Sequence, residues 1–122
     1  MKCYICGKDF TLRKTWGGHN RLVCYDCIPE GLSQHEREKI QYDFFIRKSN
    51  EIKLNRGCDR CGYNKCPQAL EWHHPNNDKD IDPSSILMSR TIKAFEKYLA
   101  EIAKCDLLCA NCHREEHFGG MV

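Results

Sequence analysis

Four pairs of cysteines, each pair separated by two residues, constrain this 122-residue chain more than any other feature. Two such pairs, brought together from distant parts of a chain, present four thiolates to one zinc ion in a tetrahedron. The spacing therefore predicts two structural zinc sites. The first two pairs form one set and the last two the other: Cys3, Cys6, Cys24 and Cys27; Cys58, Cys61, Cys109 and Cys112.

The cysteines also indicate the cellular compartment in which we expect the protein. Ten cysteines could form disulfides in a secreted protein, but the N-terminus shows no signal-peptide pattern and eight of the ten lie in these pairs. We therefore expect reduced, metal-bound thiolates and a cytoplasmic location. Cys66 and Cys105 lie outside both sets and are expected to be free buried thiols. No apolar stretch approaches the ~20 residues that cross a bilayer, so we expect no membrane partner.

Residues 1–30 form the first predicted domain, a zinc ribbon. A segment this short cannot bury enough apolar surface to fold alone, and below ~40 residues a metal is usually needed. A structural zinc supplies roughly 10–16 kcal/mol of apparent binding energy, which is ample for such a module. His19 could replace a cysteine as ligand, but four cysteines already complete the set.

Residues 31–56 form the second predicted segment, a basic connecting helix. Ser33 and Glu36 match a capping box, which marks its start. The net charge of +2 is no argument for nucleic-acid binding, but residues 1–56 hold eleven Lys or Arg against seven Asp or Glu. The basic half is therefore the natural phosphate-facing surface. The helix either has a simply solvated face or lies against phosphates through Arg47, Lys48 and Lys53.

Residues 57–122 form the third predicted domain, which mixes strand and helix and makes the fold class α+β. The stretch 69–74 is short, apolar-leaning and bounded by prolines, as a strand would be. A helix is expected over about 91–104 and a last one over 111–118. In the first of these, apolar residues recur every three or four positions and are interpreted as core: Ile92, Phe95, Leu99 and Ile102.

Four histidines are grouped around the last cysteine set. His113 and His117 stand at i and i+4, so their rings share one face of a helix. His73 and His74 are adjacent, so on a strand they point to opposite sides. One of them can face a metal ion while the other faces a substrate. An imidazole, with a pKa of about 6.5, is well suited to take a proton from water. His113 directly follows Cys112 and could alternatively be a zinc ligand.

Two segments together resemble the HNH endonucleases, and in particular their cysteine-clamped branch in phage and bacterial genomes. They are Leu70-Glu71-Trp72-His73-His74 and Leu108-Cys109-Ala110-Asn111-Cys112-His113-Arg114-Glu115-Glu116-His117. The resemblance covers residues 58–118, about half of the chain. It implies a ββα-metal (His-Me finger) fold that holds one catalytic divalent ion (Mg²⁺, Mn²⁺, Ni²⁺ or Zn²⁺) against DNA, in the cytoplasm of a bacterial host.

The resemblance also implies roles for individual residues. His74 would be the general base, and His73, His113 and His117 would bind the catalytic ion. Glu71 would support a ligand or occasionally bind the ion itself. The central Asn of the family is expected upstream of the last cysteine pair, where this chain reads Lys104-Cys105-Asp106. Asn76, Asn77 and Asn111 lie elsewhere, so the residue that orients the base is unassigned.

Two other functions fit parts of the sequence. A non-catalytic zinc-ribbon module that binds nucleic acid or a protein would account for the cysteines and the basic half. It would leave His73, His74 and His117 without a role. A nuclease acting on RNA would differ from the first interpretation in substrate alone. A monomer and a homodimer are both compatible with the sequence.

Overall fold

A computed structural model of the chain describes residues 1–12, 21–74 and 83–119. The chain divides into two units, Met1–Ile40 and Gln41–Val122. A 3₁₀ turn over Pro67–Ala69 precedes the first strand. The helices and strands follow in the order α1 (Gln34–Arg56), β1 (Leu70–His73), α2 (Pro83–Leu87), α3 (Ile92–Ile102), β2 (Asp106–Cys109) and α4 (Ala110–Phe118).

The two longer helices begin at side chains that cap them. The Ser33 hydroxyl accepts a hydrogen bond from the Glu36 N–H (3.2 Å), and the Glu36 carboxylate accepts one from the Ser33 N–H (3.4 Å). This reciprocal pair is the predicted capping box, and α1 starts at Gln34, the residue after Ser33. Thr91 caps α3 by accepting from the Ala94 N–H (3.1 Å). Both helix starts thus satisfy backbone donors that lack a partner within the helix.

The first unit, Met1–Ile40, is held by polar contacts around its cysteines. An isolated antiparallel bridge joins Lys2 to Asp9. The Arg21 guanidinium donates to the carbonyl oxygens of Val23 (2.6 Å), Cys24 (3.1 Å) and Ile28 (2.6 Å). The Arg21 side chain therefore stabilises the turn that carries the second cysteine pair. Among the described residues of this unit, the buried apolar side chains are Val23 and Ile28, together with the cysteines Cys3 and Cys24.

The second unit is built on a two-stranded antiparallel sheet, β1 with β2. The register pairs Leu70 with Cys109, Glu71 with Leu108, Trp72 with Leu107 and His73 with Asp106. One cluster of buried residues joins the sheet to the cysteines: Cys58, Leu70, Leu107, Leu108 and Cys109. Helix α4 starts directly after β2. The start of β1 and the start of α4 are thereby fixed to the same core.

Aromatic side chains join α1 to α3 within the second unit. The rings of Phe45 and Phe95 stack with centroids 4.6 Å apart, and Phe44 packs edge-on to Phe45 at 5.9 Å. Phe95 and Ile102 are buried, as predicted. Leu99 is 36% exposed, so its assignment to the core was wrong. The buried stripe of α3 runs instead through Phe95, Tyr98, Glu101 and Ile102.

The predicted fold class is confirmed at the level of a small α+β protein with a two-stranded antiparallel sheet and two four-cysteine clusters. The ββα-metal assignment and the boundaries at residues 30 and 56 stay predictions. Among the helices that the structure describes, none has the length and apolar character needed to cross a bilayer.

Candidate metal centres and histidine site

The two predicted cysteine sets each come together as one cluster: Cys3, Cys6, Cys24 and Cys27; Cys58, Cys61, Cys109 and Cys112. The Sγ atoms of Cys6 and Cys24 lie 3.8 Å apart, and those of Cys61 and Cys109 lie 3.7 Å apart. A disulfide would bring two sulfurs to about 2.05 Å. Four sulfurs at about 2.3 Å from a tetrahedral zinc lie about 3.8 Å from one another. Both clusters therefore have the donor set and the spacing of a structural zinc site.

The same backbone turn carries the first cysteine pair of each cluster. The N–H of Gly7 donates to the Cys3 carbonyl, and the N–H of Gly62 donates to the Cys58 carbonyl, both at 2.9 Å. These glycines have φ of +75° and +78°, a region that side chains with a Cβ rarely adopt. The turn points backbone N–H groups at sulfur, as from Cys61 to Cys58 Sγ (3.5 Å). Such donors stabilise a thiolate.

Within each cluster the thiols differ in acidity. Burial acts to raise the pKa of Cys3, but backbone hydrogen bonds from Cys24 and Cys6 outweigh it and lower the value to about 6. The pKa of Cys58 is also lowered to about 6, because backbone hydrogen bonds from Cys61 and Cys109 outweigh its burial. The contact with the Cys109 side chain raises the pKa of Cys112 to about 12. One thiolate thus forms readily in each cluster, and zinc binding would displace the proton of a thiol such as that of Cys112.

A third group of ligand atoms lies at the surface of the second unit. One ring nitrogen from each of His73, His113 and His117 lies within 4.8 Å of the other two. The Nε2 atoms of His113 and His117 are 3.1 Å apart. Nitrogens at about 2.0–2.1 Å from a tetrahedral ion lie about 3.3–3.4 Å apart, so this spacing fits a shared metal. His117 is exposed and the other two are half-buried, which leaves the group open on one side.

Glu71 fixes the orientation of one of these rings. The His113 Nδ1–H donates to Glu71 Oε2 over 2.5 Å. With the proton on Nδ1, the lone pair of His113 is on Nε2, the atom that faces His117. A carboxylate behind a ligating histidine is the usual support of a metal site. The position of Glu71 on β1, two residues before His73, brings strand and helix together at this point.

The electrostatics of the group favour a neutral ring at His73. Burial lowers the pKa of His73, and the neighbouring His113 and His117 lower it further, although Asp106 acts in the opposite direction. Asp106 is the residue that faces His73 across the sheet. A neutral imidazole is the form that binds metal ions. The three histidines that the sequence grouped therefore lie in a constellation that could hold a divalent ion.

His74 lies in different surroundings from its neighbour. Its Nε2 is 2.9 Å from Glu101 Oε1 on α3, and 3.3 Å from Cys105 Sγ. The side chains of His74 and Glu101 are 7% and 6% exposed. Among the described residues, the ring contacts of the three-histidine group do not include His74. The structure thus separates the two adjacent rings, one at a surface ligand group and one against a buried carboxylate.

The cationic side chains of the second unit have different surroundings. Burial lowers the pKa of the half-buried Lys53, while the charge of Glu71 acts in the opposite direction. Arg56 donates to Asp59 and to the Cys105 carbonyl, and Arg60 pairs with Glu116. Arg114 is exposed on α4, the helix that also carries His113 and His117.

The sequence did not single out Glu101 or Cys105 as partners of His74. Sequence spacing offered no signal for Glu101, because the predicted apolar stripe of α3 ran through Leu99 and not through Tyr98 and Glu101. Asn111 is exposed in the first turn of α4. His19, Asn76 and Asn77 lie outside the described residues.

Comparison of the chain with models of protein families, with curated proteins and with solved structures gives no match.

Proposed function

We propose that this chain is a metal-dependent DNA endonuclease of the HNH type. The observation that supports it best is the surface group of His73, His113 and His117. Glu71 is hydrogen-bonded to His113, and His74 is the residue after His73. The two cysteine clusters are proposed to hold structural zinc ions, one of them beside the histidine group. Reduced thiolates of this kind fit the cytoplasm.

The three imidazoles are the proposed ligands of the catalytic ion. Three nitrogen donors suit Ni²⁺ or Zn²⁺ better than Mg²⁺, which prefers oxygen ligands. When bound there, a divalent ion supplies positive charge that offsets the charge gained by the phosphate and by the leaving 3′-oxygen. Two strands followed by a helix surround the group (β1, β2 and α4), with α2 and α3 between the strands in the chain, and this order supports the proposed ββα-metal fold.

The remaining chemistry is assigned to side chains of the chain itself. His74 takes a proton from a water molecule, the water oxygen forms a bond to phosphorus, and the bond from phosphorus to the 3′-oxygen breaks. The 3′-oxygen leaves with the electron pair of that bond and is protonated by solvent, so the products carry a 5′-phosphate and a 3′-hydroxyl. Lys53 and Arg114 hold the phosphate by charge, and the basic α1 contributes further contacts along the DNA backbone.

Cleavage of supercoiled plasmid tests the proposal. Purified protein is incubated with Mg²⁺, Mn²⁺, Ni²⁺ or Zn²⁺ in turn, with a chelator control, after its zinc content has been measured. We expect about two tightly held zinc ions per chain and cleavage with at least one added ion. His74→Ala should keep both zinc ions and bind DNA, but lose at least about 100-fold in rate.

The matched control is His35→Ala, at an exposed position near the start of α1. It should cleave at the parent rate. Unchanged cleavage by His74→Ala would remove that residue as the base, and a parent that cleaves nothing under any of these conditions would refute the nuclease. Single-stranded DNA and RNA at the same salt concentration identify the substrate class.

The burial of His74 favours one alternative, a non-catalytic zinc module that binds nucleic acid or a protein. In that case the contact of His74 with Glu101 would only stabilise the fold. The module would bind DNA with the salt dependence of phosphate contacts and would cleave no substrate with any ion.

A further inference from the structure

The proposed base has a carboxylate partner that the known motif does not supply. His74 Nε2 lies 2.9 Å from Glu101 Oε1, on a helix 27 positions further along the chain. A carboxylate accepts hydrogen bonds and donates none, so this contact requires the proton on Nε2. The unprotonated nitrogen of the ring is then Nδ1.

Cys105 blocks the same nitrogen from a second direction. Its Sγ lies 3.3 Å from His74 Nε2 and donates to the Glu101 carbonyl oxygen at 3.5 Å. Cys105 is buried. With one nitrogen enclosed between a carboxylate and a sulfur, any exchange of a proton with water must use the other nitrogen.

Packing does not explain why the residue at position 101 is an acid. Its neighbours on the buried stripe of α3 are Phe95, Tyr98 and Ile102. Taking a carboxylate out of water costs several kcal/mol in real proteins, and an apolar residue would fill the stripe without that cost. Lys104 Nζ lies 3.3 Å from Glu101 Oε2, the carboxylate oxygen that His74 does not contact. The carboxylate is thereby turned with Oε1 toward the ring.

We propose that Glu101 is the positioning residue of His74. It holds the ring in the Nε2–H tautomer and leaves Nδ1 as the atom that takes the proton from water. The inference rests on the proposed nuclease function and assigns to Glu101 the task of orienting the base. The central Asn of the HNH pattern has no equivalent at the expected position of this chain.

The test compares Glu101→Gln with Glu96→Gln in the zinc-loaded 122-residue chain. Both replace an acid on α3 by its isosteric amide, but Glu96 is exposed. A glutamine can turn either its oxygen or its NH₂ group to Nε2, so it no longer selects one tautomer. We expect Glu101→Gln to lose about 10²–10⁴-fold in single-turnover cleavage rate, with DNA affinity and zinc content unchanged. Glu96→Gln should behave as the parent.

Nitrogen-15 NMR of the histidine rings in the parent provides a readout that needs no activity. The His74 signals, assigned by their loss in His74→Ala, should show the proton on Nε2. A proton on Nδ1 would overturn the proposal even if Glu101→Gln failed to fold.

The activity outcomes separate this proposal from the function it rests on. If Glu101→Gln cleaves at the parent rate while His74→Ala is inactive, the nuclease stands and Glu101 has no positioning role. If the parent itself cleaves no nucleic acid, the proposed function fails and the role of Glu101 fails with it.

Discussion

Two histidines of this chain are each paired with an acid, and the two pairs differ in their exposure. Glu71, which accepts from His113, is 45% exposed, whereas Glu101 beside His74 is 6% exposed. The first carboxylate lies at an open group of ligand atoms, where it sets which nitrogen is available. The second lies in a closed environment, where it can hold a ring in one orientation. At the scale of single residues, the carboxylates distinguish the proposed ligand from the proposed base.

The Glu71→Ala substitution tests the first of these pairs. Without the carboxylate, the His113 ring loses the partner that keeps the proton on Nδ1 and the lone pair on Nε2. We expect the affinity of the histidine group for Zn²⁺ or Ni²⁺ to fall about 10–100-fold, while both cysteine clusters keep their zinc. Titration calorimetry of zinc-loaded protein with Ni²⁺ measures this.

The control for that substitution is Glu115→Ala, which removes an exposed acid from α4 near the same histidines. It should leave the affinity within about twofold of the parent. Equal losses in the two variants would mean that general negative charge, and not the hydrogen bond to His113, governs metal binding.

At the scale of elements, the aromatic face of α3 packs against α1. The stacked rings of Phe45 and Phe95 are 1% and 4% exposed. Phe95→Ala should therefore lower the free energy of unfolding by about 3–5 kcal/mol, because it leaves a cavity as well as removing buried apolar area. Leu99→Ala, on the exposed side of the same helix, should cost about 1 kcal/mol or less. Denaturant unfolding of the zinc-loaded protein measures both, and equal costs would contradict the described orientation of α3.

Local signals in the sequence predicted much of the secondary structure. Ser33 and Glu36 marked the start of α1, and the apolar spacing marked α3, because both patterns depend on residues within one or two turns. Spacing also grouped the cysteines and brought His113 and His117 onto one helix face. The strand β2 and the short helix α2 were not predicted, since their formation depends on pairing and packing with distant segments.

Two features depend on contacts that sequence spacing does not encode: which face of α3 is buried, and the environment of His74. Periodicity favoured Leu99 as core, but Tyr98 and Glu101 lie on the buried side instead. Tyr98 is there because its hydroxyl lies 2.6 Å from Ser49 Oγ and accepts from the Trp72 indole N–H at 2.9 Å. Those partners are 49 and 26 positions away. An acid or a phenol without a visible partner is ordinarily assigned to the surface.

At the scale of the whole molecule, the same cysteine-glycine turn occurs in both units. Both units have a Cys-x2-Cys-Gly turn with a left-handed glycine, and each closes it with a second cysteine pair. In the second unit the closing pair is Cys109 and Cys112, at the junction of β2 and α4. The cluster therefore fixes the sheet relative to the helix that carries His113. A structural zinc at this point would hold together the two parts of the histidine group.

The Cys61→Ser and Cys6→Ser variants distinguish the roles of the two clusters, since each removes an exposed ligand at the same place in the same turn. Each should lower the zinc content from about two ions to one. Loss of the second cluster should also free α4 from the sheet, so Cys61→Ser should abolish Ni²⁺ binding by the histidine group. Cys6→Ser should retain that binding, because His73, His113 and His117 all lie in the second unit. Retained Ni²⁺ affinity in Cys61→Ser would mean that sheet packing alone positions the histidines.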